Sequence, residues 1–260
     1  MRTFIKIFIT ISLAFLIQVV GFAQEENFFE AGSKAYSEAN YHLAIEQFKQ
    51  GLQTAKTPTA ELYYNLGCAY FKNGDIAQSI LNFERAYRIA PSDGDIKFNL
   101  KMANNQIVDK MDPLPKLFLA RWADSASHWF SLLGWNVVNV TIFTVFAVGM
   151  LYFLRGKSLA FRKGSFIVSM VFLLLFIFAQ IFAWRLYGFM SEQKEGILMS
   201  EVVTVKSSPD HSAKDLVVVH SGLKVIRLQE LGGFSEVKLP DGTIGWIPNS
   251  SYEIINNFEK

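Results

Sequence analysis

The segment LRGKSLAFRKG, residues 154–164, concentrates four cationic side chains and contains no acidic one. The cations are Arg155, Lys157, Arg162 and Lys163. The segment joins two runs of about 20 residues that carry no charge, WNVVNVTIFTVFAVGMLYFL (135–154) and SFIVSMVFLLLFIFAQIFAW (165–184). A helix rises about 1.5 Å per residue, so each run can cross the roughly 30 Å hydrocarbon core of a bilayer. The sequence predicts transmembrane helices at 135–154 and 165–187, joined by a basic loop at 155–164.

Short cytoplasmic loops of membrane proteins are enriched in Lys and Arg, so the basic loop is predicted to face the cytoplasm and both flanks to be exported. Trp135, Trp184 and Tyr187 lie at the opposite ends of the two runs, where interfacial aromatic residues are typical. Two buried helices of a soluble domain are the alternative, which is disfavoured because consecutive helices that are apolar on every side are rare there. A channel or transporter is disfavoured because a transport path usually needs more helices or ionisable groups, and neither run contains a charged residue.

The N-terminus predicts the same orientation. Arg2 and Lys6 precede the apolar run IFITISLAFLIQVVGFA, and the small residues Gly21 and Ala23 suit a cleavage site after Ala23. We predict a signal peptide at 1–23, with an uncleaved anchor helix as the alternative. The export of residue 24 onward agrees with a cytoplasmic basic loop.

The charge and the cysteine content argue against a nucleic-acid-binding protein and a disulfide-rich one. The net charge is +2, and no basic stripe with interleaved aromatic residues occurs outside the loop, so nucleic acid is not an expected partner. The single cysteine, Cys68, excludes an internal disulfide framework.

A sequence pattern repeats after about 35 residues in the exported N-terminal segment. Placing Gly32 over Gly67 aligns GSKAYSEANYHLAIEQF (32–48) with GCAYFKNGDIAQSILNF (67–83). Such a period is typical of helix-turn-helix solenoids. The second copy resembles tetratricopeptide repeats through Tyr63, Leu66, Gly67, Tyr70, Gly74, Phe83, Ala86 and Pro91. We therefore predict an all-α solenoid at 24–112, whose third unit starts at residues 92–95 and supplies a capping helix.

The tetratricopeptide resemblance implies a groove formed by the first helix of each pair. An aromatic groove with amides suits an extended or helical peptide of a partner protein. Packing between repeats is the alternative role for each aromatic residue. The predicted groove residues are Phe29, Tyr36, Tyr64, Asn65, Phe71, Phe98 and Asn99.

An amphipathic connector is predicted at residues 113–134, which have the sequence PLPKLFLARWADSASHWFSLLG. Apolar residues such as Leu117 and Trp122 are interspersed with polar residues such as Arg121, an arrangement that suits an amphipathic helix lying on the membrane boundary. A linker helix packed on the repeats is the alternative.

From residue 194 onward, short β-prone runs alternate with Ser-Pro, Ser-Gly, Gly-Gly and Asp-Gly turns, which predicts a small all-β barrel at 194–257. The order VKSSP (205–209), GLKV (222–225), FSEV (234–237) and DGTIGWI (241–247) resembles bacterial SH3-type domains. That resemblance implies binding of cell-wall peptide or of a protein strand, with Trp246 packed inside the barrel as the alternative. The implied ligand face is Phe234, Trp246 and Tyr252.

Taken together, the chain is predicted to be a multidomain membrane protein with a tetratricopeptide solenoid, a transmembrane hairpin and an SH3-like barrel. This order resembles BatE-type proteins of the Bacteroides aerotolerance group. The resemblance implies an inner-membrane location with both end domains in the periplasm. It also implies von Willebrand A domain membrane proteins and a MoxR-type ATPase system as partners, in a complex associated with aerotolerance or stress.

The leading hypothesis is therefore a non-catalytic scaffold that binds partner proteins. The alternative is a peptidoglycan-binding anchor that acts through the SH3-type domain. No enzyme activity, cofactor or metal is predicted, because no metal-spaced cluster or phosphate loop is present and the histidines are scattered. They are His42, His128, His211 and His220.

Overall fold

The computed structural model describes residues 27–111, 114–115 and 117–256. The chain divides into two compact units. The repeat–sheet unit consists of Met1–Leu114 with Gln193–Lys260, and the hairpin unit is Pro115–Glu192. The predicted signal peptide and its cleavage site lie outside the described residues.

The described residues in the first part of the repeat–sheet unit form five helices, and three of the connections between them are set by local capping. Asn40, Thr59 and Asp75 each accept a hydrogen bond from the backbone N–H three residues later. Gly74 ends a helix with φ 87°, a conformation that favours glycine. The helices are α1 at 27–37, α2 Tyr41–Thr54, α3 Ala60–Asn73, α4 Ile76–Ile89 and α5 Gly94–Asn104.

Two glycine–phenylalanine contacts bring the paired helices close together. A Cβ added to Gly32 would lie 2.6 Å from a ring atom of Phe48, and one added to Gly67 would lie 2.7 Å from a ring atom of Phe83. Both rings are buried. These residues are the ones that the sequence alignment superimposed, so the two helix pairs use the same contact at the same place.

We expect Gly67→Val to destabilise the chain by about 2–3 kcal/mol, because the buried Phe83 ring must move to admit the side chain. Gly94→Val is the control, since nothing lies within 4 Å of a Cβ added there, and we expect a change within about 0.5 kcal/mol. Urea unfolding of the full chain in detergent, followed by circular dichroism, measures both. Equal effects of the two substitutions would contradict the close contact.

The second part of the unit is a seven-stranded antiparallel sheet in the order β3-β2-β6-β5-β4-β1-β7. Among the described residues no pairing joins β3 to β7, so the sheet is not closed by strand pairing. The core between its strands contains the fully buried Val205, Val225, Val237 and Ile247. The strands are β1 Glu195–Leu198, β2 Val202–Lys206, β3 Asp215–His220, β4 Lys224–Leu231, β5 Phe234–Lys238, β6 Ile244–Pro248 and β7 Tyr252–Ile254.

The sheet packs on α4 through a shared apolar core. Ile80 and Leu81 of α4 join Ile197 of β1 and Ile255 in one cluster in which all four side chains are fully buried. The repeats and the sheet are therefore parts of one folded body.

Ion pairs surround this core. The side chain of Arg88 is 1% exposed and pairs with Glu195. Lys224 Nζ lies 2.7 Å from Glu195 and 3.0 Å from Glu84, whose side chain is buried. Burial alone would lower the pKa of Lys224, but Glu84 and Glu195 outweigh it and raise the pKa above its ordinary value of 10.5. The stabilisation from this raised pKa is present below about pH 10.5 and is lost as the pH rises through the raised value.

A second set of bonds ties α4 to the end of the sheet. Arg85 Nη2 lies 2.7 Å from Glu253, and Arg85 Nε donates to the carbonyl of Ile255 at 3.0 Å. Arg85 Nη2 also donates to the carbonyl of Ile254 at 3.2 Å, in the strand at that edge of the sheet. The edge strand β7 is therefore covered by an arginine of the helical repeat.

We expect Arg88→Met to destabilise the chain by about 2–4 kcal/mol, because a buried ion pair loses one partner. Arg227→Met is the control, since its partner Glu230 is exposed and such pairs contribute about 0–1 kcal/mol. The same urea unfolding experiment compares the two. A loss no larger than that of the control would show that the Arg88 pair does not hold the sheet on α4.

The segment after α5, residues 105–111, packs against the sheet, and we call it the strap. Ile107 and Met111 pack against the core of the sheet. Asp109 accepts a hydrogen bond from the backbone of His220 and lies 3.0 Å from its Nδ1. Beyond the strap, Leu114 N donates to Pro240 O at 3.2 Å. The strap thus completes the packing of the sheet.

The hairpin unit contains three helices, α6 Phe118–Ser127, α7 Leu132–Arg155 and α8 Leu159–Ser191. By length and composition, α7 and α8 could each cross a membrane. Helix α6 falls within the predicted connector and contacts α8 through an ion pair between Asp124 and Arg185 at 2.6 Å. Trp135 Nε1 donates to Ser127 O at 2.9 Å, which holds the start of α7 against the end of α6.

The basic segment is largely helical. Arg155 is the last residue of α7, and α8 begins at Leu159 with the Ser158 side chain accepting from Phe161 N. Only residues 156–158 connect the two helices. The predicted layout of helical repeats, two apolar helices and an antiparallel sheet is confirmed, while a closed barrel is not shown.

Candidate functional site

The predicted groove residues lie on the first helix of each pair, α1, α3 and α5. Phe29 and Tyr36 belong to α1, and Phe98 and Asn99 to α5. Helix α3 holds Tyr64, Asn65 and Phe71.

Several of these aromatic rings pack between helices. Phe29 lies 6.2 Å from Phe48, measured between ring centroids, and Tyr64 lies 5.8 Å from Phe83. Tyr36 contacts Tyr41 with centroids 5.5 Å apart. Because all of these first-helix rings are half-buried, they contribute to repeat packing and present only part of their surface.

One hydrogen bond links α3 and α5 across this surface. The Asn99 side-chain amide donates to the Tyr64 hydroxyl at 2.9 Å and to the Asp95 carbonyl at 3.0 Å. Burial raises the pKa of Tyr64 to about 12, helped by the neighbouring Cys68. The hydroxyl therefore stays protonated at neutral pH and fixes the spacing of the two helices. Asn65 instead bonds within its own helix, to the carbonyl of Glu61 at 3.0 Å.

An exposed apolar pair lies beside this bond. Phe98 is 62% exposed and Met102, one helical turn later, is 40% exposed. Residues four apart share one helix face, so the two side chains form a continuous apolar surface on α5. Of the predicted groove residues, Phe98 offers the most apolar surface to a partner.

Cys68 lies one turn after Tyr64 and is half-buried. Burial raises the pKa of its thiol above the ordinary value of 9.0, although the Tyr64 hydrogen bond and Lys72 act in the opposite direction. The thiol is therefore protonated at neutral pH.

We expect Cys68 to react with a disulfide reagent more slowly in the folded chain than in urea at pH 8, because the thiolate is the reacting form. The folded-state rate rises as the pH passes above 9.0. The absorbance of the thiol released from the reagent measures this rate without interference, since the chain has one cysteine. Equal folded and unfolded rates would contradict the raised pKa.

The residues of the predicted SH3-type ligand face are largely packed. Phe234 and Trp246 are 6% and 8% exposed, and His211 lies against Phe234 with ring centroids 4.9 Å apart. The half-buried Tyr252 has its hydroxyl 2.8 Å from Ser235 Oγ. Ligand binding by this face stays a prediction.

Sequence reasoning missed the exposed apolar surface of the sheet. Its residues are more than 45% exposed, and three of them lie on β2 and β3. The run LVVVH (216–220) has four consecutive apolar residues, and successive side chains of a strand point to opposite faces, so this run was the signal that some of them face outward. These residues are Val202, Leu216, Val218 and Ile244.

The structure places the four cations from which the topology is predicted at one end of the hairpin. Arg162 Nε donates to the carbonyl of Phe153 at 3.1 Å, while Arg155, Lys157 and Lys163 are exposed. Their predicted cytoplasmic location stays a prediction. Among the described residues, no group of three His, Cys, Asp or Glu side chains could hold a metal ion.

Comparison with known proteins agrees with the helical geometry. Residues 60–93 match the family model of the tetratricopeptide repeat, which covers α3, α4 and the turn that precedes α5. No curated protein matches the chain. Tetratricopeptide repeats generally bind protein partners, so the match suggests a role in protein–protein interaction.

Proposed function

We propose that this chain is a non-catalytic, membrane-anchored scaffold whose repeats bind a segment of a partner protein. The exposure of Phe98 and Met102, beside the Tyr64–Asn99 bond, is the observation that carries the proposal. A rigid surface with exposed aromatic and thioether groups suits an apolar anchor residue of a peptide. The sheet covers α4, so it leaves this surface on the first helices available.

The proposal assigns the membrane anchor to α7 and α8. The cation-rich turn between them would face the cytoplasm, and the repeat–sheet unit would lie in the periplasm after removal of a signal peptide. The support is the absence of acidic residues from 154–164 and the lack of charge in both flanking runs.

We further propose that the sheet is an SH3-type domain and that the chain is of the BatE type. Its partners would then be von Willebrand A domain membrane proteins linked to a MoxR-type ATPase, in an envelope complex concerned with aerotolerance or stress. The support is the order of the parts along the chain.

We expect a photo-reactive residue at position 98 of the full chain to crosslink a partner protein in intact cells. One at Lys49, exposed on α2, is the matched control and should capture none.

Phe98→Ala with Met102→Ala should weaken partner binding by about tenfold or more, because an apolar anchor is removed. The stability of this variant should change little, since both side chains are exposed.

Crosslinking from position 49 as strong as from position 98 would contradict the groove assignment.

The alternative of a peptidoglycan anchor is favoured by the exposed apolar residues of the sheet, such as Leu216 and Val218. Co-sedimentation of the full chain with purified sacculi, unaffected by Phe98→Ala and Met102→Ala, would support that alternative. The full chain is needed because the strap packs on the sheet.

A further inference from the structure

An open groove of about 670 Å³ runs along the hairpin near its basic end. We call it the tip groove. On each helix its lining residues recur at spacings of three and four, which is one helix face. The lining includes Val148, Gly149 and Tyr152 of α7, and Phe161, Gly164 and Val168 of α8.

Two glycines have different roles in this groove. A Cβ added to Gly149 would lie 2.5 Å from Ser169 Oγ, so the two helices touch at that level. A Cβ added to Gly164 would meet nothing within 4 Å, so that side of the groove is open space. The rings of Tyr152 and Phe161 contact each other nearly perpendicularly, with centroids 6.0 Å apart.

Unpaired cations lie at the end of the tip groove. Arg155 follows the lining residue Tyr152 by three positions, so helical geometry places it on the same face, beyond the groove. Lys157 lies in the turn and Lys163 precedes the lining residue Gly164. All three are exposed, and none forms an ion pair within the part of the chain that the structure describes.

Arg162 is different, because the turn itself uses it. Its guanidinium lies 5.2 Å from the centre of the Phe153 ring, and its Nε donates to the Phe153 carbonyl at 3.1 Å. Gly156 makes room for it, since a Cβ there would lie 2.8 Å from Arg162 Cγ. The other three cations therefore remain available to a ligand.

We infer that the tip groove binds one anionic phospholipid. An acyl chain would lie against the apolar side chains of the groove, and the headgroup phosphate would bind Arg155 and Lys157. The charge complementarity is strong, because residues 154–164 contain four cations and no acid. Basic sites between membrane helices commonly hold such headgroups. This inference rests on the proposed membrane anchor.

The test uses the purified full chain, stripped of lipid in detergent and titrated with dioleoyl phosphatidylglycerol or dioleoyl phosphatidylcholine. Native mass spectrometry counts the bound lipids. We expect one phosphatidylglycerol to bind at least about tenfold more tightly than phosphatidylcholine, because each nearby cation contributes about fivefold. Equal binding of the two lipids would overturn the inference.

Two variants separate the parts of the site. Arg155→Gln with Lys157→Gln should weaken phosphatidylglycerol binding by about tenfold or more, while Lys110→Gln with Lys214→Gln, exposed lysines of the repeat–sheet unit, should not. Gly164→Phe keeps every cation but fills the open side of the groove, so it should also abolish tight binding. Gly164→Ala is its control. Unchanged binding by Gly164→Phe, with normal circular dichroism, would overturn the groove assignment.

Inorganic phosphate at a hundredfold excess should not displace the lipid, because it cannot use the apolar lining. Displacement would show a simple anion site and overturn the inference. Carbonate extraction of membranes distinguishes a failed anchor from a failed lipid site. If the chain is extracted, both proposals fall; if it remains in the membrane without a preference for phosphatidylglycerol, only the lipid site falls.

Discussion

The ion-paired contact between α4 and the sheet fixes the arrangement of the repeat–sheet unit. A charge as deeply buried as that of Arg88 is costly unless it is paired, and Glu195 supplies the pair. Lys224 pairs with both Glu195 and Glu84, so two cations balance two carboxylates in this cluster. These ion pairs join β1 and β4 of the sheet to α4, the second helix of the matched repeat. The first helices are left to form the candidate binding surface.

The repeats were predictable because their signals are local. Gly67 and Phe83 are close in the sequence, and the capping residues Asn40, Thr59 and Asp75 mark the helix starts directly. The position of the sheet on α4 was not predictable. Arg88 and Glu195 are separated by 107 residues, with two apolar helices between them, and no periodic pattern relates such distant positions. The antiparallel sheet itself followed from its turn residues, but its strand order did not.

The predicted groove residues lie on the first helices, but the sequence did not show how far each one is exposed. Residues such as Tyr64 and Phe71 face neighbouring elements, so whether they pack or stay free depends on contacts that a single helix pattern does not contain. Phe98 is exposed on the last helix of the array. For the sheet, the conspicuous Trp246 is mostly buried, whereas the exposed Val218 lay in a run that predicted only a strand. Sequence composition shows which side chains exist, and tertiary packing decides which remain accessible.

The strap has a consequence for the order in which the chain is made. Ile107 and Met111 emerge from the ribosome before α7 and α8, but the strands that they cover are synthesised only afterwards. Ile80 of α4 is likewise synthesised before Ile197 and Ile255, the residues that bury it. The repeat–sheet unit can therefore finish folding only after the whole hairpin has been translated. Until the sheet has been synthesised, the apolar residues of α4 and the strap that pack on it are exposed. Such exposed apolar surface makes the chain a target for chaperones and proteases.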